Sequence, residues 1–276
     1  MSITFTKMHG LGNDFMVIDA IHQKVNLTKA NIMALANRHT GVGFDQCLLI
    51  EPSQEDNIDF FYRIFNADGQ EVAQCGNGAR CLARFINHYG LSKKRSLAVA
   101  THTTIMQLQL NSDDSITIDM GKPKRHPSDI PLKTSQEAEY YTLPLNNQSN
   151  CLVHAISVGN PHAVMVLPDV KNTPVGSLGK QISEHPLFPL QTNAGFMEIL
   201  SPNHVRLRVY ERGCGETEAC GSGAVAAVAI GRLYHQLDKT VTVSVQGGDL
   251  TVTWEKFDES IFLTGPAAFV YEGQLM

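Results

Sequence analysis

Apolar and polar residues alternate along much of this chain. Asp59-Phe60-Phe61-Tyr62-Arg63-Ile64-Phe65, Ile105-Met106-Gln107-Leu108-Gln109-Leu110 and His204-Val205-Arg206-Leu207-Arg208-Val209-Tyr210 carry the two-residue period of half-buried strands. The opening Ile3-Thr4-Phe5-Thr6-Lys7 does the same. Residues 240–245 and 250–254 flank Gly247-Gly248-Asp249, which predicts a hairpin turning at those three residues. Three stretches switch to a helical period. Residues 29–38 follow Thr28, a suitable N-cap. Within 76–89, Leu82, Phe85, Ile86 and Tyr89 fall at i, i+3, i+4 and i+7, and Gly90 supplies the stop. Residues 221–235 are apolar almost all round from Ala224 to Ile230, the pattern of a buried helix. Each half thus holds several short strands and one long helix. That is an α/β (α+β) chain whose curved or barrel-like sheets wrap a helix, rather than a series of βαβ units.

The pattern repeats. Cys75-Gly76-Asn77-Gly78-Ala79-Arg80 and Cys220-Gly221-Ser222-Gly223-Ala224-Val225 stand 220 − 75 = 145 residues apart in a chain of 276. At that offset Phe65 meets Tyr210, Glu71 meets Glu216, and Asp113-Asp114-Ser115-Ile116 meets Asp258-Glu259-Ser260-Ile261. Upstream, Gly12-Asn13 meets Gly159-Asn160 at an offset of 147, a drift that small loop insertions explain. Two copies imply a pseudo-two-fold protein of two domains, not a solenoid. Lys122-Pro123-Lys124-Arg125-His126-Pro127, with Pro131 beyond, is the natural linker, so the halves are expected at 1–121 and 122–265.

Composition narrows the partners. A hydrophobic content of 43%, charged content of 18% and net charge of −5, with no long basic run, speak against nucleic acid or an anionic membrane as main partner. Ala224 to Ile230, the most apolar stretch, is too short to span a bilayer, and no basic segment with an apolar core marks the N-terminus. Six cysteines in so long a chain do not make a disulfide framework, and a cytoplasmic location with reduced thiols is expected.

Two of those cysteines carry the candidate chemistry. Cys75 and Cys220 each stand just before a helix, where the positive end of the helix dipole is expected to favour thiolate. The unpaired N–H groups of the first turn, beside glycines that let a ligand come close, form an anion pocket. If the halves face each other, one carboxylate could lie between both helix ends with a sulfur on each side. Inversion at the α-carbon of an amino acid needs that arrangement: one thiolate removes a proton, and one thiol returns a proton on the opposite face. The same dipoles and N–H groups would stabilise the charge that develops on the carboxylate. Cys47, Cys81, Cys151 and Cys214 read as structural. Zinc is disfavoured because Cys75/Cys81 and Cys214/Cys220 are spaced by six, and no Gly-rich phosphate loop is present.

Gly12-Asn13-Asp14-Phe15, Phe44-Asp45-Gln46, Phe65-Asn66-Ala67-Asp68-Gly69, the Cys75 hexapeptide, Gly159-Asn160-Pro161-His162, Tyr210-Glu211-Arg212-Gly213 and Ala219-Cys220-Gly221-Ser222-Gly223 together resemble the diaminopimelate epimerases, in order and over most of the chain. The resemblance implies interconversion of LL- and meso-diaminopimelate without pyridoxal phosphate, metal or any other cofactor. The meso product feeds lysine synthesis and, in many bacteria, peptidoglycan. It implies that Cys220 abstracts the proton from the LL substrate and Cys75 protonates, with His162 and Glu211 tuning the thiols. Gly76-Asn77 and Gly221-Ser222 would hold the reacting carboxylate, while Asn13, Gln46, Asn66, Asn160, Asn193, Glu211 and Arg212 resemble substrate contacts. It further implies two strand barrels, each around a central helix, with the last strand (266–276) returning to the first domain, and a homodimer. Gln74, Ser222 and Cys214 depart from commoner choices in the family without removing a group the mechanism needs.

The residues support these roles on their own terms. Asn and Gln offer donors and acceptors to a zwitterion, and Arg212 can grip a second carboxylate bidentately. A proline or hydroxyproline racemase shares the two cysteines, but Arg212 and the extra asparagines weigh against it. A thiol redox protein would be expected to show Cys-x-x-Cys, which is absent. A non-catalytic anion binder would not require cysteines at both helix mouths.

Overall fold

Strand β1 (Ile3–Gly10) turns into β2 (Asn13–Asp19) through Leu11 and Gly12, both at positive φ, 57° and 90°. Such a turn matches the twist of the strands it joins, and it sets Asn13 at the head of β2. In this computed structural model residues 2–72, 75–146 and 149–275 are described; Gln74 lies outside them. The chain forms two units, Met1–Ile118 with Gly265–Met276, and Asp119–Thr264.

In the first unit β2 leads through α1 (Lys29–Ala36) to β3 (Gln46–Pro52), which runs parallel to it. Thr28 caps α1 in a reciprocal capping box with Asn31. β4 (Phe60–Asn66) returns antiparallel to β3, and the short β5 (Glu71–Val72) folds back on β4. After α2 (Gly76–His88), β6 (Ser96–Ala100) lies parallel to β4, and β7 (Ile105–Leu110) and β8 (Ile116–Asp119) follow antiparallel.

The second unit repeats this pairing. After β9 (Tyr141–Pro144) come β10 (Asn150–Ser157) and β11 (Pro161–Val166), an antiparallel pair like β1 and β2. α3 (Val175–Ser183) carries the chain over to β12 (Asn193–Ser201), parallel to β11. β13 (His204–Glu211) and β14 (Gly215–Thr217) precede α4 (Gly221–Tyr234). Next come β15 (Thr240–Val245), parallel to β13, and then β16 (Gly248–Thr253) and β17 (Phe262–Gly265). β18 (Ala268–Leu275) pairs with β1, as β9 pairs with β10.

Each unit encloses its long helix. α2 packs on β1, β2, β3 and β7, and α4 on β10–β13, β15 and β16. Every residue of α4 from Gly223 to Gly231 is buried, which is why that stretch shows no polar face. Two expectations need correcting. The hairpin turns at Gln246-Gly247, with Gly248 already paired to Val245, because Gly248 takes φ 137° inside the strand. α3 was not foreseen: its Gly176 and Gly179 weaken the local signal. Gly179 is there because a Cβ would run into Tyr210 of β13. Among the described residues no helix is long and apolar enough to cross a membrane.

Candidate functional site

Cys75 is the N-cap of α2, in extended conformation at φ −150° and ψ 111°. Its sulfur accepts the Gly78 N–H at 3.4 Å and lies 3.8 Å from Asn13 Oδ1. Asn77 Nδ2 donates to the same Asn13 oxygen at 3.2 Å. From beneath, the buried Tyr62 donates its hydroxyl to the Cys75 carbonyl at 3.1 Å. A Cβ on Gly76 would meet nothing within 4 Å, so the helix mouth has room for a ligand. Gln46 Nε2 donates to Asn66 Oδ1 at 2.8 Å across β3 and β4, and Gln46 Oε1 is buried with no partner among the described residues. The first unit therefore gathers Asn13, Gln46, Asn66, Cys75, Gly76 and Asn77.

Behind Asn13 stands a charged cluster. Arg38 reaches both oxygens of Asp14 at 2.8 Å and Asp45 Oδ1 at 2.8 Å, and Lys7 pairs with Asp14 at 2.5 Å. Burial raises the Asp14 carboxyl, but the bonds and charges of Arg38 and Lys7 outweigh it and hold the group well below the usual carboxylate range.

Cys220 is the N-cap of α4, at φ −120° and ψ 106°, and only 3% exposed. Its sulfur lies 3.6 Å from Ser222 Oγ, and the Asn160 amide donates to that hydroxyl at 3.4 Å. Asn160 Oδ1 faces His162 Nε2 at 3.1 Å. Burial, helped by the Arg212 cation, pushes His162 down to about 3. The ring is neutral, and its buried Nδ1 has no partner among the described residues. Asn193 Oδ1 accepts the Arg212 N–H at 2.8 Å, and its amide lies 3.4 Å from His162. The exposed Arg212 side chain donates to the Leu190 carbonyl at 2.9 Å.

Glu211 is the carboxylate that acts on Cys220. It bears on the thiol and accepts from Thr217 Oγ1 at 2.5 Å. Burial raises the Glu211 carboxyl. Burial, followed by the Glu211 charge, pushes the Cys220 thiol well above its ordinary value. The expectation of a thiol lowered by its helix dipole is thus overturned at Cys220. Desolvation and a neighbouring carboxylate outweigh the first-turn N–H groups.

The other cysteines divide differently from the sequence reading. Cys47 and Cys81 are buried and pushed up to about 12, and Cys151 is buried in β10. Cys214 is exposed in the turn between β13 and β14, because that two-strand ribbon projects its tip into solvent. Among the described residues no group of three or more His, Cys, Asp or Glu side chains could hold a metal ion.

The site residues of the two units sit at equivalent register positions. Phe15 pairs with Gln46 and Gln46 with Asn66 in the first; His162 pairs with Asn193 in the second, and Ala194 with Tyr210 one step on. Asn13 thus corresponds to Asn160, Gln46 to Asn193, Asn66 to Glu211, and Cys75 to Cys220. The sequence reading assigned no role to Tyr62, Thr217 or Asp45, the last of which it quoted only as part of Phe44-Asp45-Gln46. Thr217 had a usable local signal, since Gly213 and Gly215 mark a tight turn that folds it back beside β13.

The family model described as diaminopimelate epimerase matches residues 5–126 and 154–270. The chain is 59% identical over 276 residues to the diaminopimelate epimerase of Legionella pneumophila subsp. pneumophila strain Philadelphia 1, with both proteins covered completely. Two solved structures share the fold. One is a phenazine biosynthesis protein of the PhzF family from Bacillus anthracis, with a TM-score of 0.69 and 17% identity over 100% of this chain and 99% of the other. The other is a hydroxyproline epimerase from Agrobacterium vitis, with a TM-score of 0.69 and 13% identity over 99% and 92%.

Proposed function

This chain belongs to the diaminopimelate epimerase family, and we propose that it interconverts LL- and meso-2,6-diaminopimelate with two cysteines as acid and base. The observation that carries this reading is the placement of Cys75 and Cys220 at the N-caps of corresponding helices, each with an Asn, Gln or Glu at matching register. Cys220 as thiolate takes the α-proton of the LL substrate, and Cys75 as thiol returns a proton to the opposite face; the reverse reaction exchanges the roles. Cys220 and Glu211 together hold one proton, and its transfer to Glu211 leaves the thiolate. The Gly76-Asn77 and Gly221-Ser222 first turns take the reacting carboxylate, whose charge rises in the transition state. Asn13, Gln46, Asn66, Asn160 and Asn193 orient the substrate, and Arg212 takes the distant carboxylate. His162 supports the second thiol through Asn160 and Ser222. A reduced, cytoplasmic homodimer that uses neither metal nor pyridoxal phosphate belongs to the same proposal, as does a place in lysine and peptidoglycan precursor supply.

The test is incubation of the pure protein with LL-diaminopimelate in D2O, without pyridoxal phosphate or added metal. Deuterium at the α-carbon and appearance of the meso form are expected. Exchange with hydroxyproline or proline but not with diaminopimelate would replace this reading by the racemase one.

A further inference from the structure

Asn13 and Asn160 occupy equivalent positions, yet their carboxamides are held by different groups. Asp45 Oδ2 accepts the Asn13 Nδ2–H at 2.9 Å and the Asp14 N–H at 3.2 Å. The Asp45 carboxylate is itself fixed by Arg38, and its backbone N–H donates to Asp14 Oδ1 at 2.9 Å. An ionised carboxylate can only accept, so the Asn13 NH2 must face Asp45. Asn13 Oδ1 is thereby turned toward the Cys75 sulfur, 3.8 Å away, and the Asn77 amide at 3.2 Å reinforces that orientation. In the second unit, Thr192 and Pro161 stand where the first has Asp45 and Asp14. The Thr192 hydroxyl is turned to the Asn193 carbonyl, and Asn160 takes the opposite sense: its NH2 faces Ser222, beside Cys220.

We propose that Asp45 is a positioning residue that locks the Asn13 carboxamide with its oxygen toward Cys75, so that this half presents a thiol and not a thiolate. A carbonyl oxygen accepts from S–H and repels S⁻, whereas the Gly78 N–H favours S⁻. Freed from Asp45, the Asn13 amide could turn and add its own N–H groups to the thiolate side. Among the described residues, the titratable and charged groups around Cys75 include Tyr62 from β4 and Arg80 and Cys81 from α2; Arg80 favours thiolate, while burial keeps Tyr62 and Cys81 neutral. The internal repeat supplies two similar thiols. At Cys75 the protonated form is favoured by a residue that only the first copy carries, whereas at Cys220 burial and Glu211 do so. The importance of that difference rests on the epimerase reading.

The experiment needs no substrate. The rate of Cys75 alkylation by iodoacetamide is followed by peptide mass spectrometry from pH 6 to 10 in the full chain, with thermal unfolding as the check on folding. Asp45→Asn is expected to move the profile to lower pH and to raise the rate at neutral pH by about threefold. Asn13→Ala should produce a similar shift, and Asp45→Asn placed in that background should add little, because its effect runs through Asn13. An unchanged profile in folded Asp45→Asn overturns the proposal. So does a full additional shift in the Asn13→Ala background, which would make Asp45 only a nearby charge. If Asp45→Asn does not fold, Asp45→Ser carries the same readings. Failure of the wild type to exchange diaminopimelate would overturn the epimerase reading alone, since the alkylation profiles do not depend on it.

Discussion

Thr217 donates its hydroxyl to Glu211 at 2.5 Å, folding back from β14 onto the residue that ends β13. That bond orients the carboxylate that raises the Cys220 thiol. Thr217→Val keeps the shape and removes the donor. A fall in kcat of about tenfold is expected, with KM little changed, and Thr217→Ser should restore most of it. Steady-state kinetics of all three forms decide; equal kcat in Thr217→Val would remove Thr217 from the mechanism.

Glu211→Gln removes the negative charge that, after burial, does most to keep the Cys220 thiol protonated. The pH profile of Cys220 alkylation should therefore move to lower pH while turnover falls, because the proton acceptor has gone with the charge. A profile moving to higher pH would contradict this assignment.

Cys75→Ala and Cys220→Ala each remove one of the two proton-transfer groups. Either change should lower epimerisation by roughly 10²–10⁴-fold. α-Deuterium uptake measured separately from LL and meso substrate is the check. Wild-type turnover in either variant would reject a two-thiol mechanism.

Acid should weaken the fold through its buried histidines. His162 is pushed down to about 3 and His154 to about 4 by burial, against an ordinary value of 6.5. Below pH 6.5 the unfolded chain binds protons that the native chain refuses, so this contribution is fully present above that pH and is lost as pH falls toward 4. Glu211, raised by burial, acts in the opposite sense as pH rises above 4.5. The comparison of wild type with His154→Gln isolates one histidine: the variant's stability should fall less steeply between pH 6.5 and 5, by roughly one proton. Urea unfolding at several pH values measures the slopes, and parallel slopes would refute the assignment.

Gly223 leaves room for its neighbours. A Cβ there would come within 2.9 Å of Val209 Cγ2 and 3.3 Å of Cys220 Sγ. The helix-propensity gain of Gly223→Ala, about 1 kcal/mol, is set against overpacking of ~1–3 kcal/mol beside a stiff β-branched side chain. Net loss of stability is expected, together with lower turnover because the sulfur is pushed from its place. Thermal unfolding and kcat together test this.

Much of the fold is legible in the sequence where the signal is local. The stripe Leu82, Phe85, Ile86 marks α2, and the unbroken apolar run of 224–230 marks a helix buried on all sides. α3 was invisible for a physical reason: its glycines lower helix propensity, and the element forms because Val175, Gly179 and Ile182 are buried against β12 and β13. The site was partly legible in the same way. Cysteines before Gly-x-Gly at helix starts, and asparagines at matching offsets, were visible. The contact of Asp45 with Asn13 was not, since it spans 32 residues and forms only because β2 and β3 pair in parallel.

By itself the sequence determined that there are two copies of one element, a thiol ahead of a helix in each, and polar residues suited to a zwitterion. Those are properties of spacing and residue type, set by the period of helix and strand and by what a first turn offers an anion. Only the tertiary structure decided which groups hold each thiol. Burial and Glu211 push Cys220 up, the Asp45 carboxylate turns Asn13 toward Cys75, and Thr192 at the matching position does nothing of the kind. Desolvation and amide orientation arise from groups that meet only when distant strands pair, so no local pattern records them.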